Sequence, residues 1–427
     1  MARRGRDRHD SAAGRIVAAL DIGSTTVGCL IARAERAAGD DSAPAAIRVI
    51  GVAQQRSRGV RGGIIVDLPD AQQAVRTAVA HAEAMAKIHV DDVHVAVNCG
   101  QPRSLTFSGY VDLADHVVRD RDIAVLEHGA RGFPHREGET LLALNRIGYR
   151  LDDAAAIEDP RGLSGARLHA EHHAAMLAAG PLHTLLRLVE GCHLSVAGTV
   201  AAGHASALAA TTEEERRLGV TCLDIGGDVT TIAGFAEGHL LFCSAVPVGG
   251  QHVTIDIARM LCAPLAQAER IKALYGTLAI AASDDHEHVS FQGGGEADAR
   301  VQHTTKAVIG GIVRQRVHEL IAQVGVQISA CRVSRVVATR FVLTGGSCQL
   351  LGLADFVAGE LDRPVRVGYP PALQGMSGGL ASASFSCLIG TVLAALQPRA
   401  RRFEPAPAAA IGQGYVGRME QWLRDSF

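Results

Sequence analysis

Aromatic residues are scarce in this chain. They make up 4% of its 427 positions, and Trp422 is the only tryptophan. A β-sandwich relies on large aromatic side chains to fill its core, whereas the abundant Ala and the 47 Gly found here suit helices packed closely on sheets. An excess of one charge is also missing. Lys and Arg number 42 against 44 Asp and Glu, a net charge of −2, so nothing points to a nucleic-acid partner. No run of roughly 18 or more apolar residues occurs, so no segment is expected to span a membrane. The small-residue stretch SVAGTVAAGHASALAA (195–210) even carries a histidine. The nine cysteines form no CxxC pair and read as small buried hydrophobes in a reducing compartment. The basic start, MARRGRDRHDSAAG, is followed only by RIVAAL, too short for a signal peptide, so residues 1–14 read as a disordered leader.

What is present is an echo. Residues 20–27 read LDIGSTTV and residues 223–231 read LDIGGDVTT, each between apolar stretches of β character. Each predicts a β-hairpin whose turn offers backbone N–H groups and hydroxyls, with an acid at the strand end. One copy alone could be a plain glycine turn. Two copies about 200 residues apart predict two similar halves facing one cleft. At 427 residues, two or more folding units are expected anyway. A third glycine turn, FVLTGGSCQL (341–350), lies between a strand and the helical pattern LLGLADFVAGEL, where backbone can closely approach a flat ligand or a phosphate.

Elsewhere, AQQAVRTAVAHAEAMA (71–86) predicts an amphipathic helix, while VDDVHVAVNCG (90–100) and RSLTFSGYVD (103–112) predict strands. The acidic, glycine-rich residues 281–300 read as a mobile loop. The histidines there and in HAEHH (169–173) read as surface or strand residues rather than metal ligands. Residues 397–414 are rich in Pro and Ala and read as a flexible linker. Beyond it, residues 415–427 form an amphipathic pattern. At about 100° per residue, Tyr415, Val416, Met419, Trp422, Leu423 and Phe427 share one face of roughly 140°. Such a helix could dock on its own domain, fill a partner's groove, or lie in a membrane interface. The tether argues against the first, and the aromatic residues favour the last. The helix's own charges nearly cancel, so attraction to anionic lipid falls to Arg399, Arg401 and Arg402 upstream.

These features together resemble the actin-like ATPase superfamily and, within it, the FtsA family of bacterial cell-division proteins. The resemblance runs from about Arg15 to the C-terminus. The two LDIG loops look like its phosphate loops and VLTGGSCQLLGL like its adenosine motif. RGVRGGIIVDL (58–68), YRLD with IEDPRGLSGARL (149–168), PVGGQHVTIDIA (247–258), AERIKALYG (268–276), DRPVRVGYP (362–370) and the C-terminal GYVGRMEQWLRDSF are more specific to the family.

The resemblance implies an α/β, actin-like (ribonuclease-H-like) fold of two lobes around a nucleotide cleft, with a small FtsA-type subdomain inserted. The expected divisions are first-lobe subdomains at 15–87 and 177–210, the insert at 88–176, a second-lobe core at 211–258, and its small subdomain at 259–329. Core and final helix would follow at 330–396. It further implies ATP and Mg²⁺ as cofactors and polymerisation with copies of itself. The tail of the tubulin-like protein FtsZ would bind within residues 261–327. Later division proteins would be recruited, and lipid bound at the cytoplasmic face of the inner membrane, at the division site. Nucleic acid is not an implied partner. Asp21 and Asp224 would be the catalytic acids, holding the metal through water and orienting water. Gly23, Ser24, Thr25, Thr26, Gly226, Gly227 and Thr230 would meet phosphate, and Gly345 and Gly346 the base and ribose. Glu269 and Lys272 would serve the sugar and adenine side, unless they are only a surface ion pair.

Two departures from the family pattern bear on hydrolysis. Thr26 stands where many relatives place a lysine, and GGDVTTI stands where GGGTTDI is common, which puts Asp228, Val229 and Thr231 at altered positions. A carboxylate about 4 Å from a phosphate charge would oppose it by roughly 4 kcal/mol at an effective dielectric of 20. Asp228 either weakens nucleotide binding, points to solvent, shares the metal, or merely suits the turn because Asp tolerates the left-handed region. Slow or negligible ATP turnover is therefore expected. A small-molecule kinase of the same fold would need an acceptor pocket with a base, which is not evident. A chaperone-type ATPase would need a large further domain. A pilus-assembly relative would share the insert but not the tryptophan-bearing tail.

Overall fold

The computed structural model describes residues 14–36, 44–132, 136–279, 281–293, 300–331, 333–376, 378–397 and 404–405. The amphipathic segment 415–427, nearly all of the linker and leader residues 1–13 lie outside the described residues.

The chain opens with β1 (Arg15–Ile22), β2 (Thr26–Arg36) and β3 (Pro44–Arg56), an antiparallel meander. β1 is apolar on both faces because both are covered, which explains its unbroken run Val17 to Leu20. A small hairpin follows, β4 (Val60–Arg61) against β5 (Ile64–Ile65), turned by Gly62 and Gly63. Both glycines have positive φ, +57° and +75°, as a two-residue hairpin turn of the primed type demands. Helix α1 (Leu68–Ala86) starts where the Asp67 carboxylate accepts from the Asp70 N–H at 3.1 Å. β6 (Asp92–Val97) then pairs in parallel with β1. The first-lobe sheet thus continues past residue 88, and the expected start of the insert is corrected: it begins after β6.

The insert comprises β7 (Arg103–Asp112), α2 (Asp120–Arg131), β8 (Glu139–Leu151), β9 (Ala154–Ile157) and β10 (Arg167–Ala178). The central order is β8-β10-β7, all antiparallel. One face is open, with Thr106, Ser108, Tyr110 and Asp112 exposed at alternate positions of β7. The other is covered by α2, whose Ile123 and Leu126 pack with Tyr149 and Leu168. HAEHH lies on β10, where His172 stacks on Phe107 at 5.6 Å and His173 Nε2 is 2.8 Å from Ser104 Oγ.

The chain returns through α3 (Ala179–Glu190), β11 (Ser195–Ala201) and α4 (Ala202–Ala210), which completes a sheet ordered β11-β6-β1-β2-β3. After α5 (Glu213–Leu218) the pattern repeats. β12 (Val220–Ile225), β13 (Thr230–Ala236) and β14 (His239–Val246) form a second meander, joined in parallel by β17 (Phe341–Thr344) and β18 (Val365–Val367). Between them lie α6 (Gly250–Met260), α7 (Leu265–Tyr275), the hairpin β15 (His288–Gly293) with β16 (Arg300–Thr305), α8 (Lys306–Ser329) and α9 (Ser334–Val337). The order β14-β13-β12-β17-β18 reproduces that of the first lobe strand for strand. The mobile loop expected at 281–300 is corrected in part: β15 occupies 288–293, with Val289 and Phe291 buried.

After α10 (Leu353–Leu361), helix α11 (Ser386–Leu396) packs Leu388, Ile389 and Val392 on Val17 and Leu30 of the first lobe. The final helix therefore joins the first lobe, and its expected assignment to the second is corrected. α4 lies against it. A Cβ on Gly390 would overlap the Ala205 backbone, so the small residues of 195–210 permit a near-contact of two helices. A short strand, β19 (Glu404–Pro405), ends the described chain on the edge of β8.

Candidate functional site

The two echoed turns face each other across one cleft of about 500 Å³. From the first lobe come Asp21, at the end of β1, and Gly23, Ser24, Thr25 and Thr26. The Gly23 N–H donates to Thr26 O at 2.9 Å and closes the first turn. From the second come Asp224, Gly226 and Gly227, with the Gly226 N–H donating to Val229 O at 3.0 Å. A Cβ on Gly227 would fall 2.5 Å from Thr25 Cγ2, so glycine there lets the two turns approach.

Behind the second turn stand Glu269 and Lys272 of α7. They are bound to more than each other: Lys272 Nζ lies 2.8 Å from Glu269 Oε2 and donates to Thr254 Oγ1 at 2.8 Å and Gly250 O at 3.1 Å. Gly345 and Gly346 complete the lining after β17. Gly345 has φ +90°, and a Cβ on it would overlap the Asp224 carboxylate.

Asp21 and Asp224 occupy equivalent positions on β1 and β12, and their environments raise both acidities' pKa values. Burial and the neighbouring Asp224 charge push the Asp21 carboxyl up to about 7, partly offset by a hydrogen bond from the Cys387 thiol. Burial also raises Asp224, against a hydrogen bond donated by the Ser206 hydroxyl. Two acids that raise each other's cost of ionisation in one cleft leave negative charge that a cation could offset.

Of the expected residues within the described chain, all but Thr230 line this cleft. Thr230 is buried and donates to Val248 O at 2.7 Å, which holds the β13 end to the loop before α6. Its neighbour Thr231, directly across the ladder from Asp224, faces the cleft instead. The Thr231 hydroxyl is buried and has no hydrogen-bond partner among the described residues. Asp228 is engaged rather than free: its Oδ2 accepts from the Gly62 N–H at 2.8 Å. Its φ is not positive, so left-handed tolerance is not why Asp fits this turn.

Ser206 and Cys387 escaped notice in the sequence, because Ser206 sits mid-way along α4 and Cys387 near the start of α11, each in an unremarkable helix outside the glycine turns. So did Asn98, whose Nδ2 donates to Ile22 O at 3.2 Å, and Ser347, whose Oγ donates to Gly226 O at 2.9 Å. Asn98 follows directly on β6, a strand-end position facing the turn, and that signal could have been used.

Two sheets of matching strand order closing on a glycine-lined cleft define a protein of the two-lobed actin-like class. Solved structures agree on the fold. The chain is similar to the PilM-PilN type IV pilus biogenesis complex, with TM-score 0.60, 16% identity, and coverage of 90% of this chain and 99% of that one. It is also similar to MreB5 of Spiroplasma citri bound to ADP, with TM-score 0.52, 12% identity, and coverage of 89% and 95%. The family is narrower. The family model for cell division protein FtsA matches residues 221–390, and that for the SHS2 domain inserted in FtsA matches residues 99–176. Cell division protein FtsA of Rhizobium meliloti is 35% identical over 422 residues, 96% of this chain and 95% of that protein. The Neisseria meningitidis and Escherichia coli proteins of the same name are 29% and 28% identical, each covering 97% of this chain. The chain belongs to the FtsA family of cell-division proteins.

Proposed function

We propose that this division protein binds ATP with Mg²⁺ in the cleft, assembles with copies of itself, and tethers FtsZ filaments to the cytoplasmic face of the inner membrane at the division site. The segment 415–427 is the membrane contact, and later division proteins are recruited to the same scaffold. The observation that carries the nucleotide reading is the convergence of both echoed turns, the Gly345–Gly346 turn and the Glu269–Lys272 pair on one cleft.

The residues fit such a ligand. The unfilled Thr231 hydroxyl and the turn amides suit phosphate oxygens, and the raised pKa values of Asp21 and Asp224 are what a water-bridged divalent cation would relieve. Glu269 and Lys272, already fixed by Thr254, would orient the sugar and base. When bound, Mg²⁺ would neutralise phosphate charge. The chain offers no lysine at Thr26 to do so, and turnover is therefore slow. Among the described residues no helix is long and apolar enough to cross a membrane, and the support for the C-terminal segment is its amphipathic, aromatic pattern.

Liposome co-sedimentation with FtsZ, with and without ATP, tests the whole reading. Full-length protein should carry FtsZ to the pellet, and protein ending at Gly414 should leave it in the supernatant. Equal pelleting by the two would overturn the tether. Brisk ATP hydrolysis abolished by Asp224→Ala would overturn slow turnover.

A further inference from the structure

We infer that Asp228 sets nucleotide specificity: its carboxylate, held at the cleft by the Gly62 amide of the opposite lobe, supplies a charge that a terminal phosphate would otherwise bring, and the cleft takes nucleoside diphosphates and triphosphates nearly alike. This rests on the cleft being a nucleotide site.

The turn between β4 and β5 offers two amides to the loops of both lobes. Gly62 and Gly63 both have positive φ, which turns successive N–H groups toward the cleft mouth. Neither amide is idle. Gly63 donates to Ser24 Oγ at 3.2 Å, on the first-lobe phosphate turn. Gly62 donates to Asp228 Oδ2 at 2.8 Å, on the second-lobe turn. The second bond joins residues 166 positions apart and spans the cleft from lobe to lobe.

The hairpin also lies on the loop itself. A Cβ on Gly63 would sit 2.9 Å from Asn98 O and 3.5 Å from Val229 Cγ2, so the glycine is needed for this approach. Gly63 and Asp228 both line the cleft, together with Ser24 and Gly227. The Asp228 carboxylate is thus held by a backbone donor of the opposite lobe at the phosphate end.

Two consequences follow from one carboxylate. The cleft is latched across its mouth before any nucleotide arrives, and the additional charge of a triphosphate meets a fixed negative group that a diphosphate's shorter chain meets less. A glycine at this position would remove both effects. An asparagine would keep the hydrogen bond and remove only the charge, since its amide oxygen can still accept from Gly62.

The test compares wild type, Asp228→Gly and Asp228→Asn in the full-length protein by two readouts. Titration calorimetry with Mg-ATP and Mg-ADP should give wild-type affinities within about threefold of each other. The preference for ATP should rise about tenfold in both variants, the ratio that about 1.4 kcal/mol produces. Amide hydrogen exchange over residues 58–67 without nucleotide should quicken in Asp228→Gly and stay near wild type in Asp228→Asn. An unchanged ATP-to-ADP ratio in variants that bind nucleotide overturns the specificity role. Exchange that Asp228→Gly leaves unchanged overturns the latch. Should none of the three proteins bind either nucleotide, the nucleotide reading of the cleft falls and the specificity role with it, while exchange still decides the latch.

Discussion

Gly345 lies so close to the Asp224 carboxylate that no side chain fits between them. Its φ of +90° and the Ile225 carbonyl, which a Cβ would meet at 2.7 Å, close the remaining space. Strand β17 thereby brings the third glycine turn directly against the acid of the second hairpin. Gly345→Ala should lower stability by about 2–4 kcal/mol, from backbone strain and overpacking together. Chemical denaturation reads this directly. A change below about 0.5 kcal/mol would show that the turn adapts.

The neighbouring threonines separate packing from binding. Thr230→Val leaves Val248 O without its buried donor and should cost about 1–2 kcal/mol of stability with little effect on nucleotide affinity. Thr231→Val removes a hydroxyl that has no partner in the described chain, so stability should hold or rise while nucleotide affinity falls. Calorimetric binding and denaturation of both variants would reverse this pairing if Thr230 were the phosphate contact.

Asp21 gives stability a pH signature. Its folded-state pKa is about 7 against 3.8 in the unfolded chain, so the folded protein holds the proton more tightly. Its favourable contribution is complete below pH 3.8 and is lost as pH rises through about 7. Asp21→Asn should therefore stabilise the nucleotide-free protein at pH 8 by about 2–4 kcal/mol, with the gain shrinking steadily toward pH 4. A gain that is independent of pH would exclude charge as its origin.

The tail is tested at its single tryptophan. Trp422→Glu places a charge on the apolar face of residues 415–427, and liposome binding should fall at least about tenfold. Wild-type co-sedimentation by this variant would remove the membrane from the account.

Much of the site was legible because the fold repeats itself. The echo of LDIG announced paired hairpins, and both acids came with it. What stayed hidden depends on partners distant in sequence. Asp92–Val97 reads as a strand from its own residues, but only pairing with β1 decides that it belongs to the first lobe. Helix α11 is apolar on most sides, so its own pattern does not say which lobe it covers. β15 was masked by histidines and acids around just two buried apolar positions, Val289 and Phe291. The exchange of Thr230 for Thr231 is different in kind. Cross-strand partners share a face, so the threonine opposite Asp224 is the one that turns toward the cleft, and that follows only once the register of β12 against β13 is known.

The insert is stitched to both lobes, not only to the one that carries it. Ser104 of β7 donates to Cys243 O of β14 at 3.0 Å and accepts from the Cys243 N–H at 2.6 Å, while Asn145 of β8 donates to Leu240 O at 3.3 Å. Covalent continuity ties this small sheet to one side of the cleft, and these bonds tie it to the other. It is a strut between the two lobes. Any widening of the cleft must shear this seam or carry the strut along, so the outward β7 face of Ser108 and Tyr110 would register movement at a distance from the cleft itself.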